Sequence, residues 1–95
     1  SGIMKSLVDK ELSQLNLRLQ DKKITLGLSD NLSQVLCKRG YDPRYGARPL
    51  ATVFNKLVIR PLSKKVLEGQ LESGNFNLNW QENENRVALE AAKIQ

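Results

Sequence analysis

Apolar residues recur at helical spacing in three stretches of the chain and alternate with polar residues in three others. The first helical stretch covers residues 3–21, where steps of three and four residues separate most members of one apolar face: Met4, Leu7, Val8, Leu12, Leu15 and Leu19. Such spacing predicts an amphipathic helix. The face packs on its own domain, or in part on a segment outside this chain.

A strand and a second helix are predicted next. In residues 23–28, three apolar residues alternate with Thr25 and Gly27, which is typical of a short strand. Ser29 is placed to cap a helix, and Asp30 in its first turn complements the helix dipole. We expect Gly40 to supply the left-handed residue that commonly ends a helix. Asp42 and Pro43 then indicate a turn.

A third helix is predicted from Pro49, which is suited to the first turn because it lacks an N–H. Its apolar face contains Leu50, Val53, Phe54, Leu57 and Val58. Because a proline inside a helix removes a hydrogen bond and clashes with the preceding turn, Pro61 predicts a break near residues 59–60. We expect a second piece over residues 61–68, with Leu62, Val66 and Leu67 on its apolar face and Gly69 at its end.

The last third of the chain changes to a period of two residues. Alternation of Phe76, Leu78 and Trp80 with asparagines, and later of Val87, Leu89 and Ala91, predicts a hairpin with a loop over residues 81–85. The predicted fold class is α+β, a three-stranded small sheet with three to four helices packed on it. We expect residues 3–92 to form this domain, residues 1–2 to be a cloning scar and residues 93–95 to fray.

Composition excludes several kinds of function. The 95 residues contain no histidine and one cysteine, Cys37, so a zinc site of the usual ligands is not expected, and neither is a catalytic triad. The sequence contains no phosphate-binding loop of the Gly-x-x-x-x-Gly-Lys-Ser/Thr type and no obvious pair of carboxylates for acid–base chemistry. No apolar run approaches the ~20 residues that span a membrane. We therefore expect neither a free-standing enzyme nor a membrane partner.

The net charge of +5 is unevenly distributed. Residues 1–65 contain thirteen Lys and Arg against five Asp and Glu, a net charge of +8, whereas residues 66–95 contain two against five, a net charge of −3. A basic portion is able to face nucleic acid, a phosphate ligand or an acidic neighbouring domain. The basic residues are spread over several elements and the aromatic residues are few, so no nucleic-acid partner is expected.

Residues 40–50 carry the most informative local pattern, Gly-Tyr-Asp-Pro-Arg-Tyr-Gly-Ala-Arg-Pro-Leu. Arg48 lies at the N-terminal edge of the third predicted helix, where the helix dipole disfavours a cation. The same edge favours an anion such as phosphate, which an arginine grips with its planar fork of donors. The alternative is an ordinary surface arginine, or one paired with a carboxylate such as Asp42.

This stretch closely resembles a motif of the Hsp100/Clp family of AAA+ unfoldases. The likeness is greatest to ClpB-type disaggregases, in the small C-terminal subdomain of their second ATPase module, and it covers nearly the whole chain. Leu7-Val8-Asp9 with the leucines that follow resembles the first helix of that subdomain, and Pro61-Leu62-Ser63 with residues 66–69 resembles a later one. The run Ala51-Thr52-Val53-Phe54 departs from the family's usual basic or polar pair.

The resemblance implies roles for particular residues. Arg48 is expected to be the sensor-2 arginine that contacts the terminal phosphates of ATP. Gly46 and Ala47 are expected to let the backbone approach the nucleotide, and the first helix near Leu7 and Val8 to close over the adenine side. No residue of the chain is catalytic in isolation, because the phosphate loop and bound magnesium belong to a preceding large subdomain.

The resemblance also implies partners. These are the large subdomain of the same chain, neighbouring subunits of a hexameric ring, and unfolded or aggregated polypeptide that the ring threads. The implied compartment is the cytoplasm or the mitochondrial matrix. Two alternatives stay open: a stand-alone protein-binding or oligomerisation module in which Arg48 is structural, and the same subdomain from a peptidase-coupled unfoldase of the ClpA or ClpC type.

Overall fold

Helices cover one face of a three-stranded sheet in a computed structural model that describes residues 2–91. The elements are α1 (Gly2–Leu19), a 3-10 turn (Gln20–Lys22), β1 (Ile24–Leu28), α2 (Asp30–Arg39), α3 (Leu50–Phe54), a π-helical segment (Asn55–Ile59), α4 (Arg60–Leu67), β2 (Gly74–Gln81) and β3 (Arg86–Ala91). The expectations for Ser1 and for residues 93–95 fall outside the described residues, and Gly2 is the first residue of α1.

The sheet has the order β1-β2-β3 and is mixed. β1 runs parallel to β2, with Leu26 opposite Phe76, and β2 runs antiparallel to β3, with Trp80 opposite Val87. Parallel neighbours require a long crossover, which the segment from α2 to α4 supplies. The predicted α+β class with one three-stranded sheet is confirmed.

The core consists of apolar side chains from every helix and from β1 and β2: Met4, Val8, Leu15, Leu19, Ile24, Leu26, Leu32, Leu36, Leu50, Phe54, Val58, Leu62, Leu78 and Trp80. All of them lie on faces that the apolar pattern predicted. Leu67 is the exception to the pattern, because its side chain is 87% exposed. Leu67 comes five residues after Leu62, and five residues of an α-helix rotate the side-chain direction by one full turn plus about 140°. Leu67 therefore cannot share the face of Leu62.

Side-chain amides of two helices complete the hydrogen bonding of the sheet. Asn16 of α1 accepts from the N–H of Leu26 at 2.8 Å and donates to its carbonyl at 3.0 Å, so it pairs with the free edge of β1. Asn31 of α2 donates to the carbonyl of Trp80 at 3.0 Å, beyond the point where β1 has ended. Each amide takes the place of a neighbouring strand, because its N–H and C=O match the backbone pair.

The predicted cap of α2 is confirmed, but the predicted conformation of Gly40 is wrong. Ser29 Oγ accepts from the N–H of Leu32 at 3.3 Å. Gly40 has φ −83° and ψ 0°, a conformation open to any residue. A Cβ at Gly40 would lie 2.6 Å from Cδ1 of Leu50 and 2.7 Å from the carbonyl oxygen of Leu36. Glycine is required there by the close approach of α3, not by backbone torsion.

Pro61 disturbs the third helix without breaking it. Ile59 and Arg60 keep helical torsions, with φ −69° and −61°, so the predicted break at residues 59–60 is wrong. The hydrogen bonding changes instead: the N–H of Arg60 donates to the carbonyl of Asn55, five residues earlier. This wider turn gives the proline ring room that the tighter α-helical turn would not provide. The helical run therefore extends unbroken from Leu50 to Leu67.

Gly69 ends α4 as predicted. Its φ is +70°, and its N–H donates to the carbonyl of Val66 at 3.1 Å. The N–H of Gln70 donates to the carbonyl of Lys65 at 2.9 Å. This pair of bonds is the Schellman motif, which satisfies the last carbonyls of a helix.

Within residues 2–91, no helix combines the length and apolar character that crossing a membrane requires.

We predict that Gly40→Ala lowers the free energy of unfolding by about 1–3 kcal/mol, the usual effect of forcing extra atoms into a packed contact. Urea denaturation followed by the fluorescence of buried Trp80 measures the change. Gly2→Ala is the matched control, because no atom lies within 4 Å of the Cβ it would add. An unchanged stability of Gly40→Ala would show that Leu50 moves away freely.

Candidate functional site

The loop between α2 and α3 is closed by its own backbone. The N–H of Asp42 donates to the carbonyl of Gly46 at 2.8 Å, and the N–H of Gly46 donates back to the carbonyl of Asp42 at 2.7 Å. Oδ1 of Asp42 also accepts from the N–H groups of Arg44, at 2.7 Å, and Tyr45, at 3.1 Å. An aspartate that bonds the backbone a few residues later is the usual stabiliser of such turns.

Gly46 serves the conformation of this loop. Its φ is +65°, in the left-handed region that side chains with a Cβ rarely adopt, and no atom lies within 4 Å of the Cβ position. Glycine is therefore favoured by torsion and not by crowding. The space beside Gly46 is open, which is compatible with a ligand approaching the backbone there. That Gly46 lets the backbone approach a nucleotide remains a prediction.

Arg48 follows this loop on the surface, immediately before Pro49 and the start of α3. Its guanidinium carbon lies 5.2 Å from the centre of the Tyr45 ring, within the range of a cation–π contact. Among residues 2–91, Arg48 forms no ion pair, and the Asp42 carboxylate serves the backbone of the loop instead. The structure therefore does not show the alternative, a salt bridge between Arg48 and Asp42.

Two backbone N–H groups beside the start of α3 are occupied. The N–H of Arg48 donates to the carbonyl of Tyr45 at 3.3 Å, and the N–H of Leu50 donates to the carbonyl of Ala47 at 3.0 Å. Pro49 has no N–H. The sequence suggested that free backbone N–H groups would favour an anion here. These two N–H groups are therefore not available to an anion, whereas the Arg48 side chain offers five N–H donors.

A groove of about 240 Å³ separates α1 from the start of α3. Eight residues line it: Leu7, Lys10, Glu11, Gln14, Ala47, Arg48, Leu50 and Ala51. It brings together three of the residues that the sequence selected, Leu7, Ala47 and Arg48, although forty residues separate Leu7 from Ala47. Its lining combines the aliphatic side chains of Leu7, Ala47, Leu50 and Ala51 with the charged residues Lys10, Glu11 and Arg48.

Val8 lies elsewhere. Its side chain is fully buried in the core, with 0% exposure, so it supports the helix beneath Leu7 and does not line the groove. Three polar residues of α1 that sequence reasoning did not select do line it: Lys10, Glu11 and Gln14. Their positions three, four and seven residues after Leu7 are the spacing of one helix face, and that spacing was the available signal.

The groove contains side chains that are suited to binding. A guanidinium grips phosphate oxygens through paired donors, and aliphatic groups pack against a flat ring. The groove contains no serine, cysteine or histidine that could act as a nucleophile or base. Within residues 2–91, no three His, Cys, Asp or Glu side chains gather in a group that could hold a metal ion.

A comparison with known proteins identifies a family whose matched region includes every residue that lines the groove. A family model described as the C-terminal, D2-small domain of ClpB protein matches residues 2–77. The chain is 48% identical over 71 residues to the chaperone protein ClpB of Rhizobium meliloti, a match that covers 75% of this chain and 8% of that relative.

Two further relatives give the same result. The chaperone protein ClpB of Brucella suis is 43% identical over 73 residues, which covers 77% of this chain and 8% of the relative. The chaperone protein ClpB of Mesorhizobium japonicum is 38% identical over 97 residues, which covers 94% of this chain and 11% of the relative. The chain thus spans about a tenth of the length of the curated relatives it matches.

We predict that Gly46→Ala costs about 1–2 kcal/mol of folding stability, the usual penalty of a left-handed residue with a Cβ. Gly46→Asn should cost less, because asparagine tolerates this conformation better. Urea denaturation of both variants measures the difference. Equal stability of Gly46→Ala and the unmodified chain would mean that the loop adopts another conformation when a Cβ is present.

Proposed function

Because the chain belongs to the family of C-terminal D2-small domains of ClpB proteins, we propose that Arg48 contacts the terminal phosphates of ATP as a sensor-2 arginine. The chain would then form one wall of a nucleotide site. The other wall, with the phosphate loop and the bound magnesium ion, would belong to the large subdomain of the same protein. The parent protein would be an ATPase, and this chain alone would not.

The groove between α1 and α3 is the observation that carries the proposal. Its lining includes Arg48 together with the half-buried Leu7 and the small side chain of Ala47. A nucleotide offers a matching pair of features, anionic phosphates for the cation and a flat apolar base for the aliphatic side chains. Phosphates would meet Arg48, and the base would lie toward Leu7, with Val8 supporting the helix from within the core.

The position of Arg48 also fits an external anion. A cation near the N-terminus of a helix opposes the dipole and is stabilised poorly. Within the described residues no carboxylate forms an ion pair with it, and the Tyr45 ring lies within the range of a cation–π contact. A phosphate supplied by a ligand would remove this mismatch, because charge-assisted pairs between arginine and phosphate are among the stronger hydrogen bonds in proteins.

Hydrolysis would be coupled to movement through this contact. ATP bound between the two subdomains would draw Arg48 toward the γ-phosphate, and loss of that phosphate would release it. A ligand that makes different contacts in two states shifts their populations, so the small subdomain would rotate against the large one. In a hexameric ring, neighbouring subunits would pass this motion on and thread an aggregated polypeptide.

The comparisons bear on the alternatives. The family model and the relatives named above are all of ClpB, which favours a disaggregase over a peptidase-coupled unfoldase of the ClpA or ClpC type. Those relatives come from bacteria, which favours the cytoplasm over the mitochondrial matrix. A stand-alone protein-binding module would require this chain to bind a protein partner without a large subdomain, and it would leave the position of Arg48 unexplained.

We predict that Arg48→Ala in the full-length ClpB-type protein weakens ATP binding by about ten- to a hundred-fold, since hydrogen bonds to charged groups contribute about 1.5–3 kcal/mol. Equilibrium binding of a fluorescent ATP analogue measures the affinity, and steady-state hydrolysis measures turnover. Circular dichroism of each variant checks that the fold is intact.

Arg44→Ala is the matched control for this experiment. Arg44 is an exposed arginine of the same loop and does not line the groove, so its removal changes the net charge equally and should leave ATP affinity near that of the unmodified protein. If Arg48→Ala and Arg44→Ala behave alike, Arg48 has no sensor role, and the stand-alone binding module becomes the better hypothesis.

A further inference from the structure

Tyr45 is an exposed aromatic residue that packs on the cation of the candidate site. Its side chain is 58% exposed, and its ring centre lies 5.2 Å from the guanidinium carbon of Arg48. The two residues are three positions apart in one turn, where the N–H of Arg48 donates to the carbonyl of Tyr45 at 3.3 Å.

The backbone of Tyr45 is held more firmly than that of an ordinary surface loop. Its N–H donates to the carboxylate of Asp42 at 3.1 Å, and the residue that follows it, Gly46, exchanges two backbone hydrogen bonds with Asp42. The ring therefore projects from a hydrogen-bonded turn. Its contact with the guanidinium limits the positions that the long side chain of Arg48 can occupy.

The contact leaves the donors of Arg48 available. Within residues 2–91, no acceptor takes a hydrogen bond from its guanidinium group, so the ring contact is its main restraint. The ring attracts the cation through its quadrupole and does not consume N–H donors. An anion can therefore be gripped by Arg48 while the side chain still rests against Tyr45.

We propose that Tyr45 is a positioning residue, whose ring preorganises Arg48 for the phosphate of a bound nucleotide. This inference rests on the proposed function of Arg48. Preorganisation raises affinity because less side-chain freedom is lost when the ligand binds. An exposed cation–π contact is equivalent to about a two- to five-fold change in a binding constant. We expect the Tyr45 ring, acting through Arg48, to change the affinity for ATP by that factor.

The contact itself is tested in the 95-residue chain without any nucleotide. Residues 2–91 contain a core of their own, so the chain is suited to nuclear magnetic resonance in solution. The Tyr45 ring should shift the side-chain proton resonances of Arg48 upfield. Tyr45→Leu should abolish this shift and Tyr45→Phe should preserve it. Tyr41→Leu, which removes the other exposed tyrosine of the loop, should leave it unchanged. No difference between Tyr45→Leu and the unmodified chain would overturn the proposal.

The positioning role is tested by ATP affinity in the full-length ClpB-type protein. Tyr45→Leu should weaken ATP binding about two- to five-fold. Tyr45→Phe should bind ATP as the unmodified protein does, because the ring face is retained. In a protein that already carries Arg48→Ala, adding Tyr45→Leu should change nothing further. This loss of additivity distinguishes an effect exerted through Arg48 from a general loss of stability.

The remaining outcomes separate the two proposals. If Arg48→Ala leaves ATP affinity unchanged, the proposed function fails and the positioning role falls with it, even where the resonance shift shows the contact. If Arg48→Ala weakens binding but Tyr45→Leu does not, or strengthens it, only the positioning role is overturned. The same holds if Tyr45→Leu weakens binding equally in the presence and absence of Arg48.

Discussion

The close contact between Gly40 and Leu50 is the constraint on which the rest of the site depends. A Cβ at position 40 would lie 2.6 Å from Cδ1 of Leu50, so the Leu50 side chain at the start of α3 packs directly on the backbone at the end of α2. The chain between these two points must leave the helix and return to nearly the same place. The loop closed by Asp42 and Gly46 accomplishes this, and it positions Arg48 on the surface beside α1.

Most of the fold was predictable because short-range patterns and core packing agree. The period of the apolar residues identified every helix and strand, and Ser29 marked the start of α2 correctly. The errors fall where tertiary contact decides. Position 40 requires glycine because a Cβ has no space there, not because of the backbone torsion. Pro61 is accommodated by the π-helical turn that precedes it, in a helix whose residues Val58 and Leu62 are buried. Neither constraint is visible in the local sequence.

The candidate site was predictable in part for the same reason. Arg48 stood out because its cation lies where the helix dipole disfavours it, but spacing alone left an ordinary surface arginine open, and only the family resemblance implied a nucleotide contact. The structure places Arg48 on an exposed groove. Lys10, Glu11 and Gln14 were not identified, since only the tertiary packing of α1 against α3 brings them beside Arg48. Val8, next to Leu7 in sequence, faces inward because adjacent residues on a helix point about 100° apart.

The size of the groove agrees with the proposal that another domain completes the site. Pockets that enclose a small molecule usually measure about 300–1,000 Å³ and bury most of the ligand surface. The groove beside Arg48 measures about 240 Å³ and is open to solvent, so one wall alone would leave a nucleotide largely hydrated. Water screens the attraction between an exposed guanidinium and a phosphate. A second wall would exclude that water and strengthen the contact. Closure of a partner domain is therefore what would turn Arg48 from a solvated surface charge into a sensor of the bound phosphate.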